Sequence, residues 1–320
     1  GWTGFNFPGR NQKYSAFEWN FQHFSGVDFD QKAGTEGIFK IVGENKEWAN
    51  DVSEEKGNYD YLMFADIDHK HPDVQKELLN WGEWFVNFIE IDGMRFDALK
   101  HIDISFIEQF IKHIEKNVER DFYFFGEYWV YEESKKSNYL YETKYHTDLF
   151  DVAFHYNMVE ASVNGSNYDI RKIFDGTLTK EHPMMSVTFV DNHDSQPGQA
   201  LESFVEGWFK KIAYGLILLR KDGYPCVFYG DYYGINGEDP MKGHKEMIDQ
   251  LLQIRKQYAY GQQDTYMENE NLMGWVRHGD DAHPGSLAVL VSTGDSGVIS
   301  MFVGKDQAGK IYTELTNNND

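Results

Sequence analysis

Apolar positions along this 320-residue chain recur with two different periods, and the change of period divides it. Residues 1–60 are rich in Gly, Asn, Asp and aromatics and show no long helical period, so short β or irregular structure is predicted there. From His71 the spacing turns helical. Asp73 can cap a helix in which Val74, Leu78, Trp81, Phe85 and Phe88 recur three and four residues apart. An apolar run at 91–99 reads as a strand, and Ile104, Ile107, Phe110, Ile111 and Ile114 then line one face of a second helix. A strand at 122–126, a helix within 132–143 and a strand at 149–155 follow. A short helix at 168–174 precedes a strand at 185–190, and Phe204, Trp208, Ile212 and Leu216 form the next i, i+4 stripe. A strand at 224–229 leads to a helix at 244–259 carrying Met247, Leu251, Ile254 and Tyr258. Five β/α units in succession predict a parallel barrel or a doubly wound sheet. Beyond about Gly261 the helical period stops. Short runs at 271–277, 287–292, 297–303 and 310–313, divided by Gly, Asp and Asn, predict a small antiparallel β module.

Composition narrows the class. With 41% hydrophobic and 26% charged residues the chain is of ordinary globular type, and no apolar run nears the ~18–20 residues that cross a bilayer. The formal net charge of -22 repels nucleic acid and anionic membrane and suits a neutral or cationic substrate. Aromatics reach 16%; flat rings pack on sugar faces, although most of these belong to the core. The single Cys226, in an apolar run, reads as a buried thiol that forms no internal disulfide. The chain starts Gly-Trp-Thr-Gly without initiator Met or targeting peptide, so an excised or truncated chain is expected.

Three short segments put carboxylates at the ends of predicted strands: Gly93-Met94-Arg95-Phe96-Asp97-Ala98-Leu99-Lys100-His101, Gly126-Glu127-Tyr128-Trp129 and Phe189-Val190-Asp191-Asn192-His193-Asp194. In a parallel barrel such positions gather at the C-terminal face of the strands, where several carboxylates can supply the nucleophile and acid/base of glycoside hydrolysis. Arg95 and Asp97 share one strand face by period two. A neighbouring guanidinium favours an ionised carboxylate, so Asp97 is a nucleophile candidate; a plain strand-end ion pair is the alternative. Glu127, beside Tyr128 and Trp129, has the apolar surround that favours a protonated general acid, or else it is a strand-end Glu meeting solvent. Asp194 can stabilise positive charge at an anomeric carbon and His193 can bind a sugar hydroxyl; the other reading is a simple turn. Four polar groups in a row on a buried strand cost stability unless they serve a site. Asp60, Asp66 and Asp68 offer hard oxygen ligands suited to Ca²⁺, without EF-hand spacing, or form a solvated acidic loop. His69 and His71, with no cysteine partner, make a poor zinc signal.

Together these segments resemble the region motifs of glycoside hydrolase family 13, in particular of bacterial liquefying-type α-amylases, and the similarity runs over essentially the whole chain. The resemblance implies a (β/α)8 TIM barrel with an inserted irregular β subdomain and a C-terminal antiparallel β domain. The expected boundaries are 1–68 for the inserted subdomain, 69–260 for a partial barrel and 261–320 for the C-terminal domain. It implies Asp97 as nucleophile, Glu127 as proton donor, Asp194 as stabiliser and Arg95 as the partner of Asp97. His193, Lys100, His101 and Trp129 are implied substrate contacts. Asp60, Asp66 and the backbone carbonyl of His101 match ligands of one structural calcium. The implied activity is retaining endo-hydrolysis of α-1,4-glucosidic bonds in starch, glycogen or maltodextrins.

Two departures from the family pattern stand out. Barrel strands one to three, with a motif of Asn, Asp and His, would precede residue 1, so the native product is expected to be longer, and the C-terminal module is expected to stop early. An extra calcium–sodium–calcium cluster is expected to be absent. Asp28 and Asp68 match positions of that cluster, but Ala49 and Lys70 stand where two of its acidic ligands would be. Other readings remain: a family 13 transglycosylase or maltooligosaccharide-forming enzyme, or an inactive glucan-binding fragment. A nucleotide-binding α/β protein has no Gly-x-Gly-x-x-Gly or Walker loop to support it. The partner expected is an α-glucan, with no nucleic acid or membrane, bound by a monomer, and the cytoplasm is favoured over secretion.

Overall fold

The computed structural model describes residues 2–53 and 62–316. Two compact units are present: Gly1–Trp129 with Asn138–Thr147, and Val130–Ser137 with Asp148–Asp320. No described helix is long and apolar enough to cross a membrane.

The first unit begins with an antiparallel sheet of order β2-β1-β3, formed by β1 (Phe24–Asp30), β2 (Thr35–Lys40) and β3 (Ala65–Ile67). Gly26 sits at its centre because the Trp48 ring leaves no room for a side chain; a Cβ there would lie 2.0 Å from the ring. Helix α1 (Pro72–Ile89) follows. Its N-cap is His71 rather than the expected Asp73, because Pro72 takes the first helical position, which needs no N–H donor. Strand β4 (Gly93–Phe96), helix α2 (Ile104–Asn117) and strand β5 (Tyr123–Gly126) complete a β/α/β unit in which β4 and β5 are parallel, with Phe96 opposite Gly126.

Helix α2 buries Ile107, Phe110, Ile111 and Ile114 of the stripe read from the sequence, adds Phe106, which the stripe did not include, and leaves Ile104 half-buried. It meets α1 at Gly82, where an added Cβ would lie 2.4 Å from the Phe110 ring. That close approach turns α1. Its buried seam is Val74, Gly82 and Val86, while Trp81 and Phe88 of the expected stripe are exposed. Helix α3 (Glu133–Glu142) divides between the units.

The second unit contains three parallel strands, β6 (Asp148–Phe150), β7 (Ser186–Phe189) and β8 (Tyr224–Cys226). The predicted strand 149–155 is half helix. Asp151 ends β6 and caps α4 (Val152–Asn164), its carboxylate accepting from the Phe154 N–H and from the N–H and hydroxyl of Thr179. Between α4 and β7 the chain forms short 3-10 turns and one further short helix, α5 (Leu178–Glu181). Helix α6 (Lys210–Leu219) starts later than the stripe predicted: Phe204 and Trp208 precede it, and Trp208 is exposed. The chain continues through α7 (Tyr229–Tyr233) and α8 (Lys245–Tyr258) into an antiparallel sheet. Its strands are β9 (Gln263–Asn269), β10 (Leu272–Arg277) and β11 (Leu287–Ser292), with β10 central.

One core joins these layers. Ile248, Leu251 and Ile254 of α8 pack with α6 and with Trp275 of β10, which is fully buried and donates its indole N–H to the Leu219 carbonyl at 3.2 Å. The runs at 297–303 and 310–313 form no strand. They meet the sheet through side chains instead: Met301 fills the space that a side chain at Gly274 of β10 would need, at 2.6 Å from such a Cβ.

Candidate active site

Each candidate carboxylate stands at the C-terminal end of a parallel strand, and backbone geometry beyond the strand aims it. In the first unit, Arg95 and Asp97 share a face and form an ion pair. Ala98 then takes a left-handed conformation (φ +48°), an unusual cost for a residue with a Cβ. The turn brings the Ala98 N–H to the Glu127 carboxylate, which accepts it at 2.9 Å. Two further backbone bonds lock the strand ends, Glu127 N–H to Phe96 carbonyl and Leu99 N–H to Glu127 carbonyl, both 2.9 Å. Asp97 and Glu127 are thereby brought together on adjoining strands in unlike surroundings. The Asp97 side chain is 73% exposed, whereas Glu127 is buried. Gly126 makes this possible, since a Cβ there would lie 2.2 Å from Leu99 Cδ1. Lys100 is buried and His101 half-buried in the single turn that follows, and the Lys100 carbonyl accepts the Ser53 N–H at 2.9 Å. Trp129 is half-buried two residues past Glu127.

In the second unit, β7 ends at Phe189, and the polar run behind it sorts into support and display. Asp191 is fully buried, and Asn192 closes a tight turn in which its side-chain oxygen accepts the Asp194 N–H at 2.9 Å and the Ser195 N–H at 2.8 Å. His193 and Asp194 project from that turn, with side chains 64% and 41% exposed and 3.3 Å apart. The expectation that all four polar groups need a site to offset their cost is corrected, because Asp191 and Asn192 are satisfied within the fold.

Of the calcium candidates, Asp60 lies outside the described residues. Asp66, in β3, is half-buried, and desolvation together with nearby Asp68 pushes its carboxyl up to about 6. A hard divalent cation would offset the burial of such a group, so the chemistry of the Asp66 carboxylate fits calcium. Asp68 is already paired with the buried ammonium of Lys46. Lys70 donates to Asn50 Oδ1 at 2.5 Å and stands 3.6 Å from Asp103 and 3.9 Å from Asp51. Among the described residues, His23, His71 and Asp73 bring possible ligand atoms within 4.8 Å of one another. Both imidazoles accept a backbone N–H at Nδ1, His23 from Asn20 and His71 from Asp73, which puts the ring proton on Nε2. In that state neither ring offers a metal a lone pair.

Sequence reasoning missed a set of buried groups beneath Asp194. Lys210 bonds to both Asp191 and Asp231, Tyr214 donates to Asp231 at 2.7 Å, and His155 donates Nδ1–H to the Val190 carbonyl at 2.6 Å. A lysine at a helix start and a histidine inside an apolar run carried no signal of this.

Parallel β/α units with carboxylates at their strand ends define a catalytic-type β/α-barrel domain. The chain belongs to the alpha-amylase family: the model described as "Alpha amylase, catalytic domain" matches residues 39–278. The fold is accordingly that family's (β/α)8 barrel type. A glucan 1,4-alpha-maltohexaosidase of Bacillus sp. (strain 707) is 48% identical over 99% of this chain and 61% of its own length. A cytoplasmic alpha-amylase of Escherichia coli (strain K12) is 38% identical over 99% of this chain and 66% of its own. The chain thus spans less than two thirds of these relatives. Among solved structures, an alpha-amylase from Geobacillus thermoleovorans complexed with acarbose matches 79% of this chain and 63% of its own (TM-score 0.58, 21% identity), a likeness of fold.

Proposed function

We propose that the protein is a retaining endo-hydrolase of α-1,4-glucosidic bonds in starch, glycogen or maltodextrins. The observation that carries this reading is the junction of β4 and β5, where the Glu127 carboxylate is held on the N–H next to Asp97 in a chain of the alpha-amylase family. Asp97 attacks the anomeric carbon while Glu127 gives its proton to the departing glycosidic oxygen. Glu127 then takes a proton from water, whose oxygen displaces Asp97 and restores both groups. Nucleophile and acid/base are unlike in exposure, which suits their unlike tasks. Arg95 holds Asp97 in place through their ion pair. Asp194 stabilises positive charge at the anomeric carbon, and His193, Lys100, His101 and Trp129 contact sugar.

One structural calcium would be held by Asp60, Asp66 and the His101 carbonyl. The Lys46–Asp68 pair and the placement of Lys70 supply positive charge among the acids, which favours the absence of a further calcium–sodium cluster. We also propose the boundaries 1–68, 69–260 and 261–320, a monomer, and a cytoplasmic location like that named for the Escherichia coli relative. In the full-length protein, Asp97→Asn and Glu127→Gln are each expected to cut starch hydrolysis at least a thousandfold. Near-wild-type rates in either variant would refute the assignment. Chromatography of maltoheptaose products separates hydrolysis from glucan transfer.

A further inference from the structure

We propose that Lys210 is a positioning residue for Asp194 and His193, holding their turn through Asp191; the catalytic part of this inference rests on the role assigned to Asp194. The turn 190–195 is short, exposed at its tip and clamped from below at three places. The Val190 carbonyl accepts the His155 Nδ1–H at 2.6 Å. The Ser195 carbonyl accepts the Ser203 N–H at 2.9 Å, and Ser203 Oγ stands 3.1 Å from His155 Nε2, so a ring of bonds closes beneath the tip. The third clamp is Asp191. One of its oxygens accepts the Val205 N–H at 3.0 Å, and the other bonds to the ammonium of Lys210.

Lys210 is the first residue of α6 and is 1% exposed. Its ammonium also bonds to Asp231 at 2.6 Å, whose second oxygen accepts the Tyr214 hydroxyl at 2.7 Å and whose backbone carbonyl accepts the His244 N–H at 2.7 Å. Two buried carboxylates therefore share one buried cation. Such an arrangement is costly to assemble, and breaking it by removing one partner leaves an uncompensated charge. It adds nothing a hydrophobic core would not supply in stability, but it fixes direction. Asp191 immediately precedes the Asn192 turn, so the Lys210 ammonium sets where the Asp194 backbone begins. Asp231 is the charged group that faces the pair; the neutral ring of His155 stands 3.9 Å from Asp191, and the imidazole of His244 feels both Asp231 and Lys210.

The test uses hydrogen–deuterium exchange and steady-state kinetics on the full-length protein. Lys210→Met is expected to speed amide exchange in 192–205 at least tenfold, leaving α8 unchanged, and to lower kcat on maltoheptaose at least tenfold with KM within twofold. Asp231→Asn leaves the Lys210–Asp191 pair intact and is expected to keep kcat within twofold. Where Lys210→Met does not fold, Asp191→Asn carries the same expectation, since it keeps an acceptor for Val205 N–H and loses only the ion pair. Unchanged exchange at 192–205 in a folded variant overturns the proposal, as does exchange that rises equally in α8. Faster exchange with undiminished kcat leaves the clamp standing and overturns its link to catalysis, which would then fall with the role of Asp194.

Discussion

His155 makes a quantitative test of how the second unit is built. Its imidazole is fully buried, stacks 5.0 Å from the Phe189 ring at 12°, and is held at about pH 4, down from 6.5, first by burial and next by the nearby Lys210 charge. Because the folded state resists protonation, the unfolded chain takes up a proton first as pH falls. The stability His155 contributes is therefore complete above 6.5 and is lost as pH falls from 6.5 toward 4. Between pH 7.5 and 4.5 the loss is about 2.5 kcal/mol, taking ~1.4 kcal/mol per pH unit. Asp191 works in the opposite sense. Burial raises its carboxyl, so its contribution falls as pH rises, and wild-type stability alone would mix the two.

The difference between wild type and His155→Asn removes that mixture, since Asp191 is present in both. Asn keeps a donor for the Val190 carbonyl but cannot protonate. Urea unfolding followed by tryptophan fluorescence should show wild type ahead by about 2 kcal/mol at pH 7.5, from lost ring packing and the lost Ser203 contact. That lead should vanish or reverse by pH 4.5. A difference flat within ~0.5 kcal/mol across the range would refute the account of His155 as a buried neutral group.

Three further outcomes are expected. Gly126→Ala should destabilise by about 1–3 kcal/mol and depress hydrolysis, because its Cβ meets Leu99 at 2.2 Å beside Glu127; unchanged activity and unfolding midpoint would contradict the packing. Asp151→Ala should cost about 3 kcal/mol in urea unfolding, since it strips acceptors from the Phe154 N–H and from both Thr179 donors in a buried setting; a loss below ~1 kcal/mol would count against that role. Chelation should lower the melting temperature of the full-length protein, and metal analysis should find close to one calcium per chain; well over one would contradict the reading of Lys46 and Lys70.

Periodicity exposed α2 because its apolar residues lie on one face and its polar residues on the other. It failed at α4, whose Val152, Phe154, His155, Met158 and Ala161 are buried on several sides. A helix wrapped by core has no stripe, so its first turn merged with β6 into one apolar run. The α1 stripe failed for another reason: a single glycine, invisible to hydrophobic pattern, set which face meets α2. In the site, the positions of Asp97 and Glu127 at strand ends were legible because each directly closes a short apolar run; that pattern alone also fits an ion pair or a solvated strand end. Lys210 was not, because a lysine opening a helix reads as solvated until its partners Asp191 and Asp231, 19 and 21 residues away, are known.

The two units meet one requirement by different means. A carboxylate offered to a ligand must be exposed at its oxygens, yet its backbone must not wander. Beyond β4 the chain has a neighbouring strand within reach, so backbone bonds to Phe96, Glu127 and Leu99 do the fixing, and the strain falls on Ala98. Beyond β7 the fixing comes from side chains instead. Asn192 ties the turn to itself, and Asp191, Lys210 and His155 tie it to the core. The first solution draws on backbone that any sequence possesses. The second depends on particular buried polar residues, each with a desolvation cost that only its partners offset. Substitutions in the supports of Asp194 should therefore couple stability to activity more tightly than substitutions around Asp97, where the groups on display can change while the bonds beneath them remain.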